Sequence, residues 1–368
     1  MPTRRTQDLV RYAVVGQGYI SQAAVLPAFA HARGNSRLVA IVSGDTQKRK
    51  ALARKYDVAS YSYEEYAQCL RSGDVDAVYI ALPNILHREY TVRAAKAGVH
   101  VLCEKPLAVA ERECRAMIAA CRKHKVKLMT AYRLHFERAT LSALQAVGGG
   151  VIGEPHLFVS SFTMSVKPPN IRLESRMGGG TLYDIGIYCI NAARHLFRAE
   201  PEEAFAMTSG RGKAGDVEES TTCMLRFPGD RLATFCVSFG SEKTSEYRIT
   251  GSKGTIRVDP GYELASGLAH EIQRDGKKRR TAFAKRDQFA PELVYFSDCI
   301  LQDRDPEPSG EEGLADVRVI QALYRSARSG RVVKLAKARG IRQPSMRQEI
   351  TRPGVRMPRL VRATPPGG

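Results

Sequence analysis

The sequence predicts an α/β chain in two parts: a doubly wound parallel sheet at the N-terminus, then an α+β domain with a large, mostly antiparallel sheet. Three observations carry that expectation. From residue 10 to about 131, short apolar runs alternate with amphipathic stretches long enough to cross over a parallel sheet. From 156 to 258, consecutive β segments are separated by short turn signals such as Pro228-Gly229-Asp230. At the start of the first region lies Val14-Val15-Gly16-Gln17-Gly18, a strand running into a glycine turn and then a helix.

In the first part, strands are expected at 11–15, 38–43, 77–82, 99–103 and 127–131, with helices near 20–32, 46–56, 63–71, 86–97 and 109–124. This is the pattern of a Rossmann domain, bounded at residues 1–131. The second domain, 132–335, carries strands near 156–164, 203–210, 218–227, 231–240, 244–250 and 254–258. Its helices open near 182, run over 286–302, and end with one near 313–328 that is able to pack back on the first domain. Residues 336–368 form a basic tail. The chain ends with ten Arg or Lys from position 331 onward against the single acid Glu349, with many Pro and Gly and no periodicity, so a disordered, solvated tail is expected.

Composition narrows the function. The 43% hydrophobic and 26% charged fractions are those of a globular protein, and no apolar run approaches the roughly 20 residues of a membrane span. Arg4 and Arg5 lack the apolar region of an export signal, so a cytoplasmic location is expected. The eight cysteines form no Cys-x-x-Cys pair and no zinc spacing; reduced, buried thiols and no metal are expected. The net charge of +19 favours polyanions. Without a helix-turn-helix, zinc or stacking-aromatic signature, it does not by itself argue for nucleic acid.

At the glycine turn, Gly16 and Gly18 stand as the first two glycines of a dinucleotide fingerprint, with Ser21 in place of the third. The turn Gly16 to Ile20, including Tyr19, would present backbone N–H groups and a helix N-terminus to a pyrophosphate. The next strand ends at Ser43, where a dinucleotide site reading ribose hydroxyls carries an acid. Lys48 and Arg49 follow, placed to meet a 2′-phosphate, and NADP is the expected cofactor. Asp45, two residues late, would still chelate a ribose and leaves NAD as the alternative.

Three further strings, Leu82 to Tyr90 (LPNILHREY), Cys103 to Ala108 (CEKPLA) and Gly178 to Tyr188 (GGGTLYDIGIY), resemble the Gfo/Idh/MocA oxidoreductases, most of all the glucose-fructose oxidoreductase branch. The resemblance covers roughly residues 10–335. It implies a two-domain NAD(P)-dependent enzyme acting on sugars or cyclic polyols. It implies that Lys105 contacts both the cofactor and the reacting oxygen. Leu82, Pro83, Asn84 and His87 would line the nicotinamide pocket, Glu104 would pair with Lys105 or the cofactor, and Arg133 would reach cofactor or substrate. Much of the family has His where this chain has Tyr188; tyrosine there is similar to the glucose-fructose branch.

Asp184 and Tyr188, four apart, are expected on one helical face. Asp184 would sit in the first turn and hold sugar hydroxyls. The preceding glycines would let the main chain approach the substrate. A free tyrosine titrates near pH 10, so Tyr188 as a base would need a cation beside it, and Lys105 is the expected one. The expected reaction is NADP-dependent oxidation of an aldose at C1 to its lactone, or reduction of a sugar carbonyl. The alternatives are a dihydrodiol or anhydro-sugar reductase, or a non-catalytic regulator sensing dinucleotide or sugar. A homodimer or homotetramer pairing through the sheet is implied by the resemblance. The short lead before the first strand suggests free exchange with a soluble cofactor pool.

Overall fold

The computed structural model describes residues 9–210, 215–336 and 342–367. Strands β1 (Val10–Val15), β2 (Ser36–Val42), β3 (Ala59–Tyr61), β4 (Ala77–Ile80), β5 (His100–Glu104) and β6 (Leu128–Ala131) form a parallel sheet in the order β3-β2-β1-β4-β5-β6. The order reverses between β1 and β4, so a crevice opens at their carboxyl ends, where Gly16 and Leu82 follow. β1 and β4 are almost wholly apolar because helices cover both faces of the sheet. The three-residue β3 has too little apolar sequence to be foreseen.

A second sheet holds β7 (Pro155–Ser165), β8 (Glu203–Ser209), β9 (Ser220–Phe227), β10 (Arg231–Ser238), β11 (Gly240–Gly251), β12 (Gly254–Val258), β13 (Ala269–Arg274), β14 (Lys277–Ala282) and β15 (Val333–Lys334). The order is β14-β13-β12-β11-β7-β10-β9-β8-β15, antiparallel among the described residues except at β7–β10. The expected turn at 228–230 joins β9 to β10, with Gly229 and Asp230 both at positive φ. The sheet buries Phe158, Phe162, Phe235 and Ile249 against the helices Arg138–Gly148, Ile187–Phe197 and Gly310–Ser329. Its other face exposes Leu157, Val159, Met207 and Met224.

Three elements depart from expectation. The helix Ala290–Leu301 belongs to the first sheet: Leu293 and Phe296 pack with Tyr12 and Leu102, and Ser297 Oγ lies 2.8 Å from Tyr12 Oη. Cys236 is exposed on the second sheet, whereas the other seven cysteines are buried. The described part of the tail is not simply solvated, because single side chains tie its backbone to the first domain. Arg352 Nε donates to His31 O (2.9 Å), and the Gln22 side chain bonds both backbone groups of Val361. Residues 337–341 of the tail, and Arg4 and Arg5, lie outside the described residues.

One buried cluster fixes the helix that carries Tyr188. Arg194, fully buried, pairs with Glu200 (2.7 Å), Glu312 (2.7 Å) and Asp316 (2.5 Å), and Tyr132 Oη donates to Asp316 at 2.5 Å. The pairs join the Ile187–Phe197 helix to Gly310–Ser329, and that helix in turn meets β6, where Met129 bridges to Ser309. Leaving any member unpaired would strand a buried charge.

Candidate active site

A cleft of about 530 Å³ opens between the two sheets, lined by the glycine turn at one end and by Lys105, Arg133, Asp184 and Tyr188 at the other. At the nucleotide end, Gly16 sits at φ +92, and a Cβ there would lie 2.4 Å from Ala81 O. Only glycine fits. Gly18 has the opposite property: a Cβ there meets nothing within 4 Å, so its backbone faces open cleft. Ser21, standing where the fingerprint has its third glycine, is buried and donates its Oγ–H to Gly16 O at 2.6 Å, so the departure stiffens the turn. Gln17 lines the cleft with its buried Oε1 unpaired among the described residues. An open backbone edge and a helix start fit a dinucleotide phosphate bridge, while the Gln17 amide oxygen, an acceptor, suits a hydroxyl donor.

Tyr19, Ile20, Ser43, Lys48, Leu82, Pro83, Asn84 and Glu104 line the cleft. Asp45 lines it too, but its Oδ1 caps the Thr46–Tyr56 helix by accepting from Lys48 N (2.9 Å). Two expected cofactor residues are placed elsewhere. Arg49 turns toward Glu65 (3.7 Å) and Ser43 O (3.5 Å) and lies outside the lining. His87 is fully buried, each ring nitrogen 2.9 Å from a carbonyl, Nδ1 at Pro106 O and Nε2 at Leu82 O. Burial pushes the His87 imidazole below its ordinary range, and it acts as a brace between the loops carrying Leu82 and Lys105.

The opposite end of the cleft is assembled from several separate stretches. Lys105 Nζ donates to Asp184 O at 2.8 Å, stands 3.6 Å from Asp184 Oδ1 and lies 4.7 Å from the centre of the Tyr188 ring. The direct partner of the phenol, however, is Arg133: its Nε donates to Tyr188 Oη at 3.3 Å while its guanidinium lies 5.0 Å from the ring centre. Arg133 is itself aimed by Tyr262 O (2.6 Å), Glu263 O (3.3 Å) and Gln288 Oε1. Beside the expected Lys105, the tyrosine thus has a second cation: one lies over the ring and one on the hydroxyl.

Asp184 and Tyr188 both line the cleft, but Leu182–Gly186 is a π-helical turn feeding the α-helix Ile187–Phe197. Arg172 Nε binds Asp184 Oδ2 at 2.7 Å. Burial opposes ionisation of Asp184, yet Arg172 and Lys105 outweigh it and hold the carboxyl below its ordinary range. The three glycines are packed against protein and not held open for a ligand. A Cβ at Gly178 would lie 2.6 Å from Val109 Cγ1, at Gly179 2.4 Å from Arg172 O, and at Gly180 2.4 Å from Tyr324 Oη. Asn84 Nδ2 fastens this loop to the first domain through Gly178 O (2.8 Å).

Glu104 bonds Tyr79 Oη (2.9 Å) and the Lys105 amide (3.2 Å), and burial raises its carboxyl. Arg172, Lys243 and Tyr262 also line the cleft and were not foreseen. They arrive on loops and on β11 without a motif. His135 is a core residue: it stacks on Tyr132 and binds Asn191 Oδ1 at 2.9 Å. His135, His195 and Glu312 bring three metal-type atoms within 4.8 Å, but Glu312 is committed to Arg194 and His195.

Residues 10–132 match the family model described as oxidoreductase family, NAD-binding Rossmann fold, and residues 140–257 match the GFO/IDH/MocA C-terminal domain. A D-xylose 1-dehydrogenase [NADP(+)] of Haloarcula marismortui is 31% identical over 340 residues, 90% of this chain and 94% of its own. The aldose-aldose oxidoreductase of Caulobacter crescentus, solved with glycerol, is 39% identical with a TM-score of 0.84, over 89% of this chain and all of its own. A 3-ketoreductase of Actinomadura kijaniata, solved with NADP and TDP-benzene, is 27% identical with a TM-score of 0.80, over 86% and 98%. No helix of the described residues is long and apolar enough to cross a membrane. Cleft, sheet order and sequence together place this chain in the GFO/IDH/MocA family of oxidoreductases.

Proposed function

We propose that the protein is an NADP-dependent sugar oxidoreductase that moves a hydride between C1 of an aldose and the nicotinamide, giving the lactone. The observation that carries this reading is the convergence of Lys105 and Arg133 on Tyr188 in the wall of the cleft. NADP, when bound, supplies the hydride acceptor, held by the glycine turn, Lys48 and the loop from Leu82 to Asn84. Oxidation of a hemiacetal removes a hydride from carbon and a proton from oxygen. The proton goes to Tyr188 Oη, which acts as phenolate and becomes the neutral phenol; the two cations beside it favour the negative charge it carries before the transfer. Asp184 fixes the lysine by receiving its ammonium on a backbone carbonyl and a carboxylate at once. Arg172, Asp184 and Lys243 give the cleft polar groups suited to several hydroxyls.

The test is NADP reduction at 340 nm across a panel of aldoses, run forward and in reverse with lactones and keto-sugars. Turnover of aldoses supports the reading; turnover only of keto-sugars or dihydrodiols overturns it. The same reading extends to assembly. The outer face of the second sheet, with Leu157, Val159, Met207 and Met224 exposed, is the surface we assign to pairing with a second copy. Val159→Glu with Met207→Glu should then lower the mass in sedimentation.

A further inference from the structure

The described tail runs along the first domain and then crosses to the second. Lys55 Nζ reaches Arg359 O (3.5 Å), and Val361 is clamped. Gln22 Nε2 donates to Val361 O (3.0 Å), and Gln22 Oε1 accepts from Val361 N (2.8 Å). The Val361 side chain packs on the apolar cluster around Tyr12 and Leu26. Gln22 also donates to Gln17 O (3.0 Å), so one buried side chain links the tail to the cleft wall. At Arg362, with φ +48, the chain turns. Its Nε pairs with Asp45 Oδ2 at 2.8 Å and its Nη1 donates to Gln47 Oε1 at 2.7 Å. Four residues later Pro366 O accepts from Lys167 N (3.4 Å), just past β7 on the opposite domain.

Charge gives this crossing a purpose. The cleft wall after β2 is Ser43, Gly44, Asp45 and Lys48. A carboxylate at 45 repels a ribose 2′-phosphate, and Arg49 lies outside the lining of the cleft. The cations left for a phosphate are Lys48, which makes no ion pair among the described residues, and Arg362, which neutralises Asp45 and brings a planar fork of donors.

We propose that residues 361–367 form a strap over the adenosine end of the cleft, and that its Arg362 selects a 2′-phosphorylated dinucleotide. The inference rests on NADP being the cofactor. It adds a residue from the C-terminal tail, far in sequence from the nucleotide motif.

The test uses the full chain and calorimetric titration with 2′,5′-ADP, 5′-AMP, NADP and NAD. Arg362→Ala should weaken 2′,5′-ADP and NADP by about tenfold or more, the usual weight of a charge-assisted pair. It should leave 5′-AMP and NAD unchanged or tighter, because Asp45 is unmasked. Arg362→Lys should recover part of the loss. Val361→Pro, which removes the N–H that Gln22 accepts from, should speed NADP release in stopped-flow displacement. If wild-type prefers NADP and Arg362→Ala lowers NADP and NAD equally or not at all, the selection by Arg362 is wrong while the cofactor reading stands. If wild-type fails to bind 2′,5′-ADP, both fall together.

Discussion

The two ends of the cleft are built in opposite ways. The glycine turn of the nucleotide end is one continuous stretch, β1 through Ser21: Gly16 makes room for Ala81 O at the end of the neighbouring strand, Gly18 leaves space open, and Ser21 ties the turn to itself. The end proposed for proton transfer has no such continuity. Lys105, Arg133, Arg172, Asp184 and Tyr188 come from separate segments, and each is aimed by a partner distant in sequence. A local site tolerates damage elsewhere in the molecule, whereas a convergent one depends on the helix packing around Arg194.

That contrast is broken or sharpened by substitution. The largest effect belongs to Lys105→Met, expected to cut kcat about 100-fold or more while dinucleotide affinity, read by fluorescence titration, stays near wild-type. Gly16→Ala comes next, expected to cost about 1–3 kcal/mol in urea unfolding through its positive φ and the clash with Ala81. Gly18→Ala should leave stability intact and weaken NADP, since open space at 18 is space for a ligand. If both glycine variants unfold alike, the nucleotide turn is structural only.

Asp184→Asn probes the other end through pH. Its carboxyl is held below the ordinary carboxylate range, so the stability it contributes is present above its unfolded value and is lost as pH falls through the folded one. Urea midpoints of wild-type and variant should therefore differ at pH 7 and draw together toward pH 3. The smallest effect is Ser21→Ala, about 1 kcal/mol for the bond to Gly16 O, with catalysis retained once NADP saturates.

How much of this was legible follows the same division. Glycines, strand ends and the lysine at 48 announce themselves within a few residues, so the first domain and the nucleotide turn could be read directly. Lys105 and Tyr188 could be named only through a family resemblance, because nothing local says that residues 83 apart in number share a wall. Arg172 and Lys243 carried no motif. The helix Arg138–Gly148 was missed because Glu137, in place of Ser, Thr, Asp or Asn, caps it by accepting from Thr140 N (3.0 Å). Strands β13 and β14 were missed because an edge strand such as Lys277–Ala282 is charged where a core strand is apolar. The tail misled for a related reason: it is seated by backbone bonds and single anchors such as Val361, which leave no periodic trace.

The central claim is that Tyr188, flanked by Lys105 and Arg133, takes the substrate's proton as a phenolate. Single-turnover reduction of bound NADP by an aldose in Tyr188→Phe tests it most directly. The account predicts a rate at least about 100-fold below wild-type with unchanged NADP affinity. A hydride-transfer rate close to wild-type would contradict it.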